Sequence, residues 1–232
     1  MTRCFIIGNG PSLREHDLTK LKNEVTFGCN RIYMLREEMG FSVTYYFCLD
    51  SIMPALLHVD IKEYIGSEDV KKAFILSPYS SLYAGIKKVE FSGSSYSVGI
   101  DMIKKAVELG YKPIYMLGCD MDYHHPEQAD RKTLLSIDEF PVSQRIKDAL
   151  HEAGRSVNMK CVFLSDKDDI SHFSVDYDRG IPTQYEPPGD MLMGKFKQAV
   201  GKIDGLYNAG IGGKCDFLPR VDYDSLFDGG HT

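Results

Sequence analysis

The sequence predicts an α/β chain: a Rossmann-like, mostly parallel sheet with helices on both faces, followed by a C-terminal extension. Three observations carry that reading. Short, continuously apolar runs recur through the first half of the 232 residues, and such runs suit parallel strands covered on both faces. Several runs stop abruptly at Gly, Asn or Asp, residues that favour turns. Between them lie segments of helical period, above all Val98, Met102, Ala106 and Leu109, stopped by Gly110.

The first run, Cys4 to Ile7, breaks into Gly8-Asn9-Gly10-Pro11-Ser12-Leu13. Glycine permits positive φ and the close approach of another molecule, and proline suits the first helical position. Asn9 and Ser12 add side-chain donors. The pattern predicts an anion or nucleotide cradle at the carboxyl end of a first parallel strand, with a plain strand-to-helix turn as the alternative. It is not the dinucleotide fingerprint, because Leu13 stands where a third glycine is required. Nor is a Walker loop present: the pairs at Gly194, Gly201 and Gly213 are followed by Phe196, Ile203 and Cys215, not Ser or Thr.

A short helical turn at Leu18 and Leu21 leads to a second strand, Val25 to Asn30. A third, Val43 to Leu49, ends on Asp50. Asn9, Asn30 and Asp50 thus close three successive strands, on the side where open α/β sheets bind ligands. Each alone also suits a turn or a helix cap. Strands follow over Lys72 to Ser77 and Val89 to Phe91. The serines up to Ser97 precede the helix at Val98, where they either cap it or hold phosphate at its positive end.

The strand Pro113 to Gly118 opens into Asp120, Asp122, Tyr123, His124 and His125. Such carboxylates suit a divalent metal held with a nucleotide, and such histidines suit proton transfer. Residues 126–137 form a polar loop. A helix follows over Pro141 to Ala153, with Val142, Ile146, Ala149 and Leu150 inward. Next comes a strand over Lys160 to Leu164, then a long loop carrying His172, and a helix over Met191 to Ile203. The expected division is a nucleotide-binding domain over 1–165 and a C-terminal lid over 166–232 packed on it.

With 33 acidic and 27 basic residues the net charge is −6, which argues against a nucleic-acid partner. No apolar run reaches membrane-spanning length, and no export signal is read. None of the six cysteines forms a C-x-x-C pair, so they read as small buried hydrophobes in a reducing cytoplasm.

IIGNGPSL at 6–13, FGCNRIYM at 27–34 and LGYKPIYMLGCDMDY at 109–123 together resemble the bacterial family 42 sialyltransferases. The wider Rossmann-like group includes the 6-hydroxymethylpterin diphosphokinase-like proteins. The resemblance spans roughly the first half of the chain. It implies that Gly8, Asn9, Gly10, Ser12 and Asn30 contact a cytidine nucleotide, with Asp50 where the family has a second asparagine. Ser97-Val98-Gly99 matches a Thr/Ser-Gly step before the central helix. Gly118 opens the Gly-x-Asp strand end, and Tyr123 is the nearest equivalent of tyrosines that bind the nucleotide phosphate. The implied enzyme needs no metal, since tyrosine hydroxyls assist the departing CMP.

The implied partners are a small-molecule nucleotide-sugar donor of CMP type and a carbohydrate acceptor, with no firm cofactor and with a homo-oligomer left open. One alternative is Mg²⁺-dependent pyrophosphoryl transfer from ATP to a pterin-like alcohol, using Asp50, Asp120 and Asp122. Another is a non-catalytic nucleotide-binding module. The family's general-base histidine is absent: Glu139-Phe140-Pro141 stand in its place. The base is therefore placed on His172, flanked by Asp169, Ser171 and Asp176, with His124 and His125 as substitutes. A loop leaving the carboxyl end of a parallel strand would bring His172 to the Gly8 side. The expected catalytic set is His172, Tyr123 and Asp120.

Overall fold

The computed structural model describes residues 1–94, 97–122, 138, 142–154, 162–163, 168–179, 183–184 and 190–228. The apolar runs form β1 (Cys4–Ile7), β2 (Val25–Cys29), β3 (Tyr45–Cys48), β4 (Lys72–Leu76), β5 (Val89–Ser92) and β6 (Ile114–Leu117). Two short strands follow, β7 (Val162–Phe163) and β8 (Thr183–Gln184), and then β9 (Leu206–Asn208). Seven of these make one sheet in the order β5-β4-β3-β2-β1-β6-β9, parallel at every pairing.

The chain steps outward from β1 to β5 and then crosses back to β6 on the other side of β1. That reversal creates a crevice at the carboxyl end of β1, the position where such sheets bind ligands. The register makes the ends flush, with Ile7 opposite both Gly28 and Leu117. The turns after β1, β2 and β6 therefore lie side by side.

Alternate residues of each strand feed opposite faces, which is why the runs read as continuously apolar. Phe5 and Ile7 join Tyr46, Ile61, Ile65 and Leu150 on one side. That face is covered by α2 (Met53–Leu56), α3 (His58–Ile65) and α5 (Gln144–Gly154), while α1 (Arg36–Met39) adds Met39 to the same cluster. Cys4 and Ile6 join Phe27, Phe47, Ile103 and Phe196 on the other, beneath α4 (Val98–Glu108) and α6 (Asp190–Val200). Among the described residues, no helix is long and apolar enough to cross a membrane.

One expectation needs correction. The strand read over Lys160 to Leu164 is not a member of the main sheet: Val162–Phe163 pairs antiparallel with Thr183–Gln184 in a separate two-stranded ribbon. The seventh strand is instead Leu206–Asn208, beside β6. It is three residues long and runs into the glycine-rich 208–213 segment, so no apolar run marks it.

Candidate functional site

A pocket opens where the sheet reverses. Its wall is made by Gly8, Asn9 and Gly10 after β1, Cys29 and Asn30 after β2, and Gly118 to Asp122 after β6. Ser97, Val98 and Gly99 bring the start of α4, Phe196 comes from α6, and Ser171 and His172 come from the loop at 168–179. Ser12 and Asp50 are not on this wall. Tyr123, His124, His125 and the Glu139-Phe140-Pro141 stretch lie outside the described residues.

The glycine turn is used differently from the expectation. Gly8 N–H donates to the Leu117 carbonyl and Gly10 N–H to the Gly118 carbonyl, each at 2.8 Å. A Cβ on Gly8 would sit 2.3 Å from the Gly118 oxygen, and one on Gly10 would sit 2.3 Å from Asp120 Oδ2. Neither glycine has positive φ. The room they leave admits the neighbouring turn of the same chain. Ser12 completes the clasp: its N–H donates to Asp120 Oδ2 at 3.0 Å and its hydroxyl to Oδ1. The Asp120 carboxylate thus occupies the amide that a bound phosphate would need. Asp122 is likewise ion-paired with Lys214.

Asn9 and Asn30 both lie on the pocket wall. Asn9 donates its amide to the Cys29 carbonyl at 3.2 Å, while its Oδ1 is buried with no partner among the described residues. Asn30 Oδ1 is in the same condition. Asn30 has φ +49, a left-handed conformation that Asn tolerates better than most residues, and Tyr46 OH holds its carbonyl at 2.6 Å. An unmet buried acceptor costs about 1–3 kcal/mol, which a ligand N–H or O–H would relieve.

His172 reaches the pocket by a route the sequence did not suggest. Its loop is sewn to the turns after β1 and β2 instead of leaving a strand of the main sheet. Phe173 N–H donates to the Asn9 carbonyl at 2.9 Å, and Arg14 donates to the Phe173 carbonyl. Arg31 adds its N–H to Tyr177 OH at 3.3 Å and its guanidinium to the Asp176 carbonyl at 3.1 Å. The imidazole lies flat on Tyr177, ring centres 3.9 Å apart and planes 7° from parallel.

Nδ1 of His172 lies 2.7 Å from Asp169 Oδ2. Asp169 Oδ1 takes the N–H groups of Ser171 and His172 at 2.7 and 3.1 Å. Burial pushes the Asp169 carboxyl up, but the hydrogen bond and charge of His172 with those two N–H groups outweigh it, holding Asp169 below its ordinary value. Burial carries Asp178 the other way, up to about 6. One nitrogen of His172 and one oxygen each of Asp169 and Asp178 lie within 4.8 Å of one another, a grouping that would also suit a divalent cation. The Asp169–His172 hydrogen bond satisfies two of the three without an ion.

Asp50 serves its own neighbourhood. Its Oδ1 accepts from the N–H groups of Ile52 and Met53 at 2.8 and 2.9 Å, heading α2. Ser97 stands at the N-cap of α4 without capping it by its side chain, so the first turn of that helix opens on the pocket. The sequence reading missed Cys29, Met102, Cys119, Met121 and Phe196 on the wall. It also missed Arg31 and Asp178 behind it. Arg31 was open to detection, since it follows Asn30 inside the FGCNRIYM stretch; Phe196 is an ordinary core residue of α6 with no local signal.

No family model matches the chain, and no curated protein matches it. Among solved structures it is similar to the MAf glycosyltransferase from Magnetospirillum magneticum AMB-1, at 14% identity and a TM-score of 0.48. That alignment covers 97% of this chain and 34% of the other, so the chain spans about a third of that protein's length. It is also similar to the sialyltransferase CstII from Campylobacter jejuni, whose structure is in complex with the substrate analogue cytidine-5'-monophosphate. There the identity is 16% and the TM-score 0.41, over 86% of this chain and 99% of that one. Neither likeness reaches the level at which a shared activity follows.

Proposed function

We propose that the chain is a glycosyltransferase that takes a CMP-type nucleotide sugar as donor and a carbohydrate hydroxyl as acceptor, with His172 as general base. The observation that carries this reading is the placement of a carboxylate-bound imidazole on the same pocket wall as the unmet amide oxygens of Asn9 and Asn30.

On this reading Nδ1 donates its proton to Asp169 and Nε2 is the nitrogen that accepts one, as in carboxylate-oriented histidines. The acceptor O–H bond breaks, its proton passes to Nε2, and the oxygen attacks the anomeric carbon. The bond from that carbon to the donor phosphate breaks, and its electron pair leaves with the phosphate. Asn9 and Asn30 accept hydrogen bonds from amino or hydroxyl groups of the nucleotide. The first turn of α4, at Ser97 to Gly99, meets the charge growing on the phosphate. Tyr123 is assigned to the departing phosphate on the sequence resemblance alone.

Asp120 on this reading holds the β1 and β6 turns together through Ser12, with Gly8, Gly10 and Gly118 as the packing that permits it. Residues 1–165 then bind the nucleotide and 166–232 bring the base. Magnesium-dependent pyrophosphoryl transfer is not favoured, because Asp50 is off the wall and Asp120 and Asp122 are engaged by Ser12 and Lys214.

The test is His172→Asn, whose amide nitrogen can keep the Asp169 contact, assayed for CMP-sialic acid hydrolysis and CMP affinity. Turnover should fall about 10²-fold or more while affinity holds. Full turnover in the variant rejects His172 as the base.

A further inference from the structure

Asp178 takes no part in the reaction just described, yet its carboxyl lies beside the base. One of its oxygens lies within 4.8 Å of a nitrogen of His172 and of an oxygen of Asp169. Its Oδ1 is buried and has no hydrogen-bond partner among the described residues. The groups that act on it are His172 and Asp169 from its own loop, Arg31 from the turn after β2, and Asp50 from the end of β3. Tyr177, stacked on the imidazole, is the adjoining buried phenol. Asp169 and Asp50 add negative charge around a carboxyl that burial already disfavours as an anion.

We propose that Asp178 is a positioning residue acting through His172: a second carboxyl that, once ionised, stabilises the imidazolium formed when the base takes the acceptor proton. The proposal rests on the reading of His172 as the base. No atom is transferred to Asp178; the proton stays on the imidazole until water removes it. What Asp178 adds is a second negative charge, so that the imidazolium lies between two carboxylates. Opposite charges about 4–6 Å apart shift a neighbour's titration by about 1–3 pH units.

The carboxyl is pushed up to about 6 by burial, against the pull of His172, with Asp169 and Asp50 raising it and Arg31 lowering it. Its charge is therefore present at neutral pH and lost just below. A carboxyl whose folded value exceeds its unfolded one stabilises the fold in acid, and that contribution is lost as pH rises through the folded value. At neutral pH Asp178 is a stability liability, of the kind functional sites retain.

The experiment is a ¹³C NMR titration of the Asp178 carboxyl carbon in the full chain, assigned with Asp178→Asn, in wild type, His172→Asn and Asp169→Asn. Coupling between two sites is reciprocal, so what His172 does to Asp178 measures what Asp178 does to His172. The expected midpoint is about 6 in wild type. It should rise by about 1 pH unit or more in His172→Asn and fall in Asp169→Asn. Asp178→Asn should melt at the same temperature as wild type or higher at pH 8, yet hydrolyse CMP-sialic acid more slowly. A midpoint unmoved by His172→Asn overturns the proposal, as does an Asp178→Asn variant that melts lower at pH 8 than wild type. Should His172→Asn keep full hydrolysis while the midpoint moves, the base reading fails and the charge coupling stands, so the two failures separate.

Discussion

Asp120 accepts both donors of Ser12, backbone N–H and hydroxyl, across 108 residues of chain, and so locks the turn after β1 to the turn after β6. Those two bonds give the carboxylate a structural task. Asp120→Asn keeps the shape but can offer only one acceptor oxygen to those two donors. We expect a loss of about 1–3 kcal/mol in chemical denaturation, the range for a buried donor left unmet. An unchanged midpoint of denaturation would show that the clasp does not contribute.

The glycines make a sharper contrast. Gly8→Ala drives a Cβ to 2.3 Å from the Gly118 oxygen, a backbone atom that can move only with its strand, whereas a Cβ on Gly93 meets nothing within 4 Å among the described residues. Gly8→Ala should therefore lower the melting temperature by several degrees or leave the chain unfolded, and Gly93→Ala should leave it nearly unchanged. Equal melting of the two variants would contradict the packing account.

The parallel sheet was legible because its strands are buried on both faces, which writes a continuous apolar run such as Cys4 to Ile7 into the sequence. The pocket's position followed from where those runs stop, at Gly8, Asn30 and Gly118. The reason for the glycines was not legible, since only the contact with Gly118 and Asp120 shows that they admit a neighbouring turn. Asp50 read as a site residue because an acid ends its strand, but the same pattern describes the local cap it makes on Ile52 and Met53. The delivery of His172 could not be read from local sequence. Its loop is fixed by Asn9, Arg14 and Arg31, more than 140 residues earlier.

The Asp169–His172 pair has a pH signature whose sign is fixed. Asp169 is held below its ordinary value in the fold, so its contribution to stability is present above the unfolded value, about 4, and is lost as pH falls through the folded one. Wild type should lose melting temperature between about pH 4 and lower values more steeply than Asp169→Asn, which cannot ionise there. Parallel curves for the two proteins would show that the hydrogen bond is not formed in solution.

The central claim is that the pocket between the β1, β2 and β6 turns holds a cytidine nucleotide against Asn9 and Asn30. Calorimetric titration of CMP into wild type and Asn30→Gly tests it most directly, because glycine keeps the left-handed backbone at φ +49 while removing the amide oxygen. The account predicts that wild type binds CMP and that Asn30→Gly binds it about tenfold or more weakly, the equivalent of about 1.4 kcal/mol. Equal affinity in the two proteins, or no binding of CMP to wild type, would contradict it.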